Sequence, residues 1–124
     1  MIRTQEVLQQ SEADLKVFEL QAEICQTLAN PKRLQIVSLL KNGELSVGEM
    51  VRAMGVPKAN ASQHLSIMRQ KGLIISRREG TTIYYRLASP KITDACSIMR
   101  EVLLSILADR ETLSRNIRGI ENKA

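Results

Sequence analysis

The sequence of 124 residues predicts a mostly α-helical fold with one small β-hairpin, and two observations in its middle support this. Residues 57–71 have helical periodicity, because Ala61, Leu65 and Met68 recur on one side of the predicted helix. Residues 73–87 instead alternate apolar and polar side chains on either side of a glycine-containing turn. A polar-faced helix followed directly by a basic hairpin is the layout of a winged helix-turn-helix.

The side of this helix opposite the apolar stripe carries short polar side chains rather than the Glu and Lys of a merely solvated surface. Amides and hydroxyls pair with base edges in the major groove, and arginines suit phosphates. We therefore expect these residues to contact double-stranded DNA: Lys58, Asn60, Ser62, Gln63, His64, Ser66 and Arg69 on the helix, and Arg77 and Arg78 on the hairpin. The alternative is an ordinary helix–hairpin pair with a solvated face.

The charge distribution also favours a polyanionic partner. The chain has 18 Lys and Arg against 13 Asp and Glu, a net charge of +5. Residues 58–86 contain six Lys and Arg and one Glu, so this stretch alone accounts for the +5. With one Phe, two Tyr and no Trp, stacking on single-stranded bases is poorly supported, and duplex DNA is the expected target. Two alternatives remain: a protein-interaction module, and a DNA-binding protein without site preference. A fall in DNA affinity with rising salt would argue against the first, and competition by unrelated DNA tests the second.

The helix before the polar-faced one begins at a capping box. Ser46 and Glu49 have the Ser-x-x-Glu spacing in which each side chain accepts a hydrogen bond from the other residue's backbone. The segment Gly-Val-Pro at residues 55–57 is then a tight turn. Residues 46–71 therefore predict a helix-turn-helix, and residues 73–87 predict its wing.

Long amphipathic helices are predicted at both ends, residues 12–29 after Ser11 and residues 90–120 after Ser89. A short helix over residues 32–41 follows the first, with three side chains predicted to point inward: Leu34, Val37 and Leu40. The winged unit is too small to cover the apolar stripes of both terminal helices. We therefore expect a homodimer formed by these two helices, whose two-fold symmetry presents two recognition helices to two half-sites.

Length and hydropathy limit the number of domains and the cellular location that the sequence allows. We expect one domain, residues 1–124, containing all of these elements. No stretch of about 18 apolar residues and no basic-then-apolar leader is present, so a cytoplasmic protein without a membrane partner is expected. Two cysteines far apart in sequence do not make a disulfide framework.

Five segments, in this order, carry a likeness to a known family: LANPKRLQI at residues 28–36, ELSVGE at 44–49, ASQHL at 61–65, KGL at 71–73 and GTTIYYRL at 80–87. Together they resemble the ArsR family of small bacterial and archaeal winged helix-turn-helix repressors. The resemblance covers residues 18–107. It implies a dimer that represses its own operon and releases the operator when an inducer binds.

The sensor sites that the resemblance implies are incomplete in this chain when carried over position by position. Ser46 and Gly48 stand where some members have metal-binding cysteines, and Ser38 stands near the cysteine of persulfide-sensing members. Asp94 and Cys96 resemble the first half of a zinc-type site on the last helix, but an apolar and a basic residue occupy the second half. A tetrahedral zinc site needs four ligands, so no metal and no cofactor is predicted.

Three residues of possible chemical importance remain. His64 is the only histidine, and neither metal-ligand companions nor a nucleophile with an orienting carboxylate lie near it in sequence, so no enzyme activity is predicted. Cys25 and Cys96 lie in the apolar stripes of the terminal helices, where free cysteine is commonly a small buried hydrophobe. The alternative is that they approach each other, within or between subunits, and sense a thiol-reactive or metalloid inducer. A regulator without a chemical sensor is also open.

Overall fold

The computed structural model describes residues 11–123, with the side chains of residues 11–120, and shows a mostly helical protein with a small antiparallel sheet. Its elements are α1 (Glu12–Leu28), α2 (Pro31–Leu40), β1 (Leu45–Ser46), α3 (Val47–Met54), α4 (Lys58–Gln70), β2 (Ile74–Glu79), β3 (Thr82–Leu87) and α5 (Lys91–Lys123). The chain divides into two compact units, of which the first ends at Ala88 and the second contains α5. Residues 1–10 and 124 of the predicted domain lie outside the described part.

Side-chain caps begin α1, α2 and α3, the first three helices of the first unit, where the sequence predicts them. Ser46 Oγ accepts a hydrogen bond from the Glu49 backbone at 3.1 Å, and the Glu49 carboxylate accepts one from the Ser46 backbone at 3.3 Å. Ser11 caps α1, and Asn30 caps α2. Gly55 then ends α3 at φ +65°, a left-handed conformation that a side chain would strain. The chain turns there into α4, so the helix-turn-helix is confirmed.

The core of the first unit lies between α2, α3, α4 and the sheet. Its fully buried large side chains are Ile36, Val37, Met50, Leu65, Met68 and Ile74. Ala61 is also buried, so the predicted apolar stripe of α4 is confirmed and its opposite side faces solvent. In α2 the prediction for Leu34 is wrong, because this side chain is 46% exposed and Ile36 is buried instead.

The wing is part of a three-stranded sheet with the order β1-β3-β2. β2 and β3 form the predicted hairpin, with Ile74 opposite Leu87 and Glu79 opposite Thr82. Gly80, at φ +63°, provides the turn between them. The short strand β1 was not predicted; its Leu45 pairs with Tyr85 of β3 and so attaches the hairpin to the start of α3.

The helices α1 and α5 both expose large apolar side chains. On α1 these are Leu15, Val17, Phe18, Leu20 and Ile24, with Phe18 54% exposed. On α5 they include Ile98, Met99, Val102, Leu103, Leu104, Ile106 and Leu107, with Met99 67% exposed. α5 contains 33 residues and is therefore about 50 Å long. Within the described residues, neither it nor any other helix is long and apolar enough to cross a membrane.

Candidate nucleic-acid interface

The solvent-facing side of α4 contains most of the residues predicted to contact DNA. The exposed ones are Lys58, Asn60, Ser62, Gln63 and Arg69, and the half-buried ones are His64 and Ser66. The buried stripe fixes this orientation, because side chains three and four residues apart share one side of a helix. The sequence of α4 contains no Asp or Glu, so its exposed side offers donors, short polar groups and positive charge.

His64 does not extend freely into solvent, because it is hydrogen-bonded to α2. Its Nδ1 accepts a hydrogen bond from Nε of Arg33 at 3.2 Å. Nη1 of the same guanidinium donates to the Thr27 carbonyl, in the last turn of α1, at 3.1 Å. Burial and the positive charges of Arg33 and Lys32 lower the pKa of His64, which favours the neutral imidazole.

Two basic residues at the end of α4 also contact other elements. Arg69 donates a hydrogen bond from Nη1 to Ser76 Oγ of β2 at 3.4 Å, which joins α4 to the wing. Lys71 Nζ lies 3.8 Å from a carboxylate oxygen of Glu23 in α1. The fold therefore brings an acidic residue from outside residues 58–86 against the basic stretch.

Arg77 of the wing is held by acidic and aromatic neighbours. Its Nε lies 2.9 and 3.0 Å from the two carboxylate oxygens of Glu44, and its Nη1 lies 2.9 Å from Glu79 Oε2. Its guanidinium carbon stands 4.5 Å from the centre of the Tyr84 ring. The hydrogen bond from Arg77 lowers the pKa of the Glu44 carboxyl, and the two carboxylates raise the pKa of Arg77.

Arg78 has a different environment, because successive side chains of a strand point to opposite faces. Arg77 shares its face with Ile75 and Glu79, whereas Arg78 shares its face with Ser76, the partner of Arg69. Among residues 11–120, Arg78 has no carboxylate within ion-pair distance. Of the two predicted wing residues, Arg78 has no ion-pair partner among the described residues, whereas Arg77 belongs to a network of intramolecular contacts at the surface.

Comparisons with known proteins agree with this architecture. A sequence model of the family described as "Bacterial regulatory protein, arsR family" matches residues 30–76. The HTH-type transcriptional regulator Rv0081 of Mycobacterium tuberculosis is 35% identical over 104 residues, which are 83% of this chain and 91% of that protein. The chain belongs to the ArsR family. It is a DNA-binding transcriptional regulator with a winged helix-turn-helix fold.

Solved structures and a further relative resemble this ArsR-family chain. The crystal structure of Rv0081 has a TM-score of 0.70 and 37% identity, covering 76% of this chain and 95% of that one. The solution structure of the homodimeric winged helix-turn-helix DNA-binding domain of Mb0332 from Mycobacterium bovis has a TM-score of 0.71 and 33% identity, covering 80% and 92%. The biofilm growth-associated repressor of Agrobacterium fabrum is 40% identical over 70 residues, 56% of this chain and 60% of that protein.

The two cysteines considered as sensors of this regulator lie in different units. Cys25 is exposed on α1, Cys96 is half-buried on α5, and both are free thiols. Burial raises the pKa of the Cys96 thiol, which lowers its thiolate fraction at neutral pH. Among the residues that the structure describes, no three His, Cys, Asp or Glu side chains are grouped closely enough to hold a metal ion.

The sequence did not predict two contacts between distant residues at this candidate interface. Arg33 and its partner His64 are 31 residues apart, and Glu44 and its partner Arg77 are 33 residues apart. No local spacing connects such pairs. Arg33 and Glu44 lie within two of the five segments that resemble the family. This position indicates that the two residues matter, but it does not indicate their partners.

Proposed function

We propose that this ArsR-family protein is a homodimeric repressor that binds a specific double-stranded operator through α4 and the β2–β3 wing. The observation that carries the proposal is the exposed, acid-free side of α4 lying beside a wing that exposes Arg78. Such a helix fits the major groove, where hydrogen bonds to base edges distinguish all four base pairs.

Within α4, base contacts are assigned to Asn60, Ser62 and Gln63. All three side chains are exposed, and amides and hydroxyls match the donor and acceptor pattern of base edges. Lys58 is assigned to a phosphate, because it lies at a helix N-terminus that no side chain caps. His64, Ser66 and Arg69 lie at the margin of this surface: the first two are half-buried, and Arg69 bonds to the wing.

The dimer is assigned to the apolar sides of α1 and α5. Phe18 is 54% exposed and Leu103 is 51% exposed in the single chain, and both lie among further exposed apolar side chains. Soluble monomers rarely expose apolar patches of this extent, so a protein partner is expected to cover them. The Mb0332 domain is a homodimer, which supports a second copy of this chain as that partner. Two-fold symmetry would then place two α4 helices about one DNA turn apart.

Repression and its release complete the proposal. The relative named a biofilm growth-associated repressor supports repression as the direction of regulation. Cys25 and Cys96 are proposed as the inducer-sensing residues, because each belongs to a helix of the proposed dimer surface. The protein is proposed to lack catalytic activity and to act in the cytoplasm, where the DNA of a bacterial cell is found.

Selection of binding sites from random duplex DNA tests this proposal. We expect an enriched inverted repeat whose two halves are centred about 10 base pairs, or a multiple of that, apart. Affinity for the enriched site should fall steeply as salt rises, as phosphate contacts require. DNA binding without enrichment of any sequence would indicate a DNA-binding protein without site preference. An absence of salt-dependent DNA binding would favour a protein-interaction module.

A further inference from the structure

We infer that Arg77 is a positioning residue that sets the angle of the wing, and that Arg78 alone makes the arginine contact of β2 with DNA. This inference rests on the proposed DNA-binding function and deepens it, since it divides two adjacent arginines of one strand into different roles. It departs from the expectation that both arginines contact DNA.

Each nitrogen of the Arg77 guanidinium bonds to a carboxylate. Nε faces both oxygens of Glu44 at 2.9 and 3.0 Å, Nη2 also bonds to Glu44, and Nη1 bonds to Glu79 at 2.9 Å. The flat guanidinium also lies near the Tyr84 ring, at 4.5 Å from its centre. A phosphate that recruited Arg77 would have to displace two carboxylates and a cation–π contact.

The contacts of Arg77 cross the three-stranded sheet. The strand order is β1-β3-β2, and Arg77 belongs to the outer strand β2. Its guanidinium passes over Tyr84 of β3 and reaches Glu44, which directly precedes β1. The Arg77–Glu44 pair therefore joins the outer strand β2 to the residue that precedes β1, across β3.

This connection matters because the backbone tie at the same place is short. β1 has only two residues, and its pairing with β3 is the sheet connection between the hairpin and the start of α3. Isolated exposed ion pairs contribute little, but bidentate arginine geometry and a second carboxylate are the conditions in which they contribute more. The Glu44–Arg77 pair is therefore placed to hold the hairpin at a fixed angle to the helix-turn-helix.

Arg78 lies on the opposite face of the strand from Arg77. Its face also carries Ser76, which accepts a hydrogen bond from Arg69 of α4. This is the side of the wing next to α4, and residues 11–120 offer Arg78 no ion-pair partner. Its charge is thus available to a phosphate.

The test compares single variants of the full-length protein by fluorescence anisotropy with the selected operator at several salt concentrations. Glu44→Gln is the decisive variant, because the two roles of Glu44 predict opposite effects. Removal of a negative charge near DNA by itself strengthens DNA binding, whereas loss of a carboxylate that positions the wing weakens it. We expect Glu44→Gln to weaken binding by roughly three- to tenfold and to leave the salt slope unchanged. Arg78→Gln, the matched control on the same strand, should reduce the magnitude of the salt slope by about 1.

Arg77→Lys separates the two roles of Arg77 by chemistry. Lysine still offers a point charge to a phosphate but lacks the planar fork that binds a carboxylate with two hydrogen bonds. A positioning role therefore predicts that Arg77→Lys weakens binding about as much as Glu44→Gln. Tighter binding by Glu44→Gln, together with near-normal binding by Arg77→Lys, would overturn the inference and make Arg77 a phosphate contact.

A readout without DNA distinguishes failure of this inference from failure of the proposed function. Amide hydrogen exchange in β2 and β3 should become faster in Glu44→Gln and Arg77→Lys and stay unchanged in Arg78→Gln. Unchanged exchange in both of the first two variants would overturn the positioning role. Failure of the wild-type protein to bind any DNA would overturn the proposed function. Amide hydrogen exchange would still decide whether the Glu44–Arg77 pair orders the wing.

Discussion

Nε of Arg33 donates a hydrogen bond to Nδ1 of His64 across 3.2 Å, which joins the first turn of α2 to the middle of the recognition helix α4. The same guanidinium donates to the Thr27 carbonyl at the end of α1. One arginine thus connects α4 with a helix proposed to form the dimer. A displacement of the end of α1 would move the Thr27 carbonyl. This carbonyl is a hydrogen-bond partner of Arg33, the side chain that orients His64.

This contact predicts a pH dependence of stability. The folded protein lowers the pKa of His64 below its ordinary value near 6.5, so below that value the unfolded chain binds a proton before the folded chain does. The contribution of His64 to stability is therefore complete above about pH 6.5. It decreases as the pH falls from there toward the folded-state pKa, and it changes no further below that point. Urea unfolding at fixed protein concentration measures this decrease.

His64→Gln is the matched variant, because its amide oxygen accepts the Arg33 hydrogen bond but does not titrate. We expect its free energy of unfolding to change less than that of the wild type between about pH 7 and pH 5.5, below which carboxyl groups begin to contribute. His64 is the only histidine, so no second imidazole complicates the comparison. Equal slopes in the two proteins would contradict the prediction.

Gln63→Ala should relax the sequence preference of the regulator at one base pair of each half-site. Gln63 is exposed on α4, and loss of a bidentate amide contact costs about 1–3 kcal/mol at the base that it reads. Affinities for the selected operator and for its single-base variants measure the effect. Asn42→Ala, which removes an exposed amide from the loop after α2, is the control and should leave the preference unchanged. Unaltered preference in Gln63→Ala would remove this residue from the readout surface.

Leu103→Glu should break the proposed dimer. Leu103 lies in the exposed apolar surface of α5, and a carboxylate buried there without a partner would cost on the order of 3 kcal/mol, about a hundredfold in the dissociation constant. Thr112, nine residues and two and a half helical turns later, lies on the opposite side of α5, so Thr112→Glu is the matched control. Sedimentation of the wild type as a monomer at micromolar concentration would refute the dimer itself.

The sequence predicted the elements whose causes are local. The capping box at Ser46, the buried stripe ending at Met68 and the turn at Gly80 each depend on residues a few positions apart. The spacing of Leu34, Val37 and Leu40 was equally helical, and Val37 and Leu40 are buried as predicted, but the spacing did not determine the edge of the buried stripe. Packing against α4 and β3 decided this in favour of Ile36.

The parts of the interface that sequence could not predict depend on contacts between distant residues. A net charge summed over residues 58–86 treats Arg77 as available, yet Glu44 from outside that stretch pairs with it. In the same way, no sequence pattern around His64 indicates that Arg33 donates a hydrogen bond to it. A helical or strand period identifies which side chains share a face, whereas the fold determines which charges on that face are already paired.

Cys25 and Cys96 are the proposed inducer-sensing thiols of this regulator. Arsenite, persulfide or peroxide should release the protein from its operator, because two thiols that meet in the dimer can hold a soft metalloid or form a disulfide. Serine keeps the size of each side chain without the soft sulfur, so release should be lost in both Cys25→Ser and Cys96→Ser. Because burial raises the pKa of Cys96 and the thiolate is the reacting form, release by peroxide should become faster as the pH rises. Anisotropy with labelled operator follows both effects, and a reductant should restore binding after peroxide. Release that persists in both serine variants would leave the cysteines as packing residues and place any sensor elsewhere.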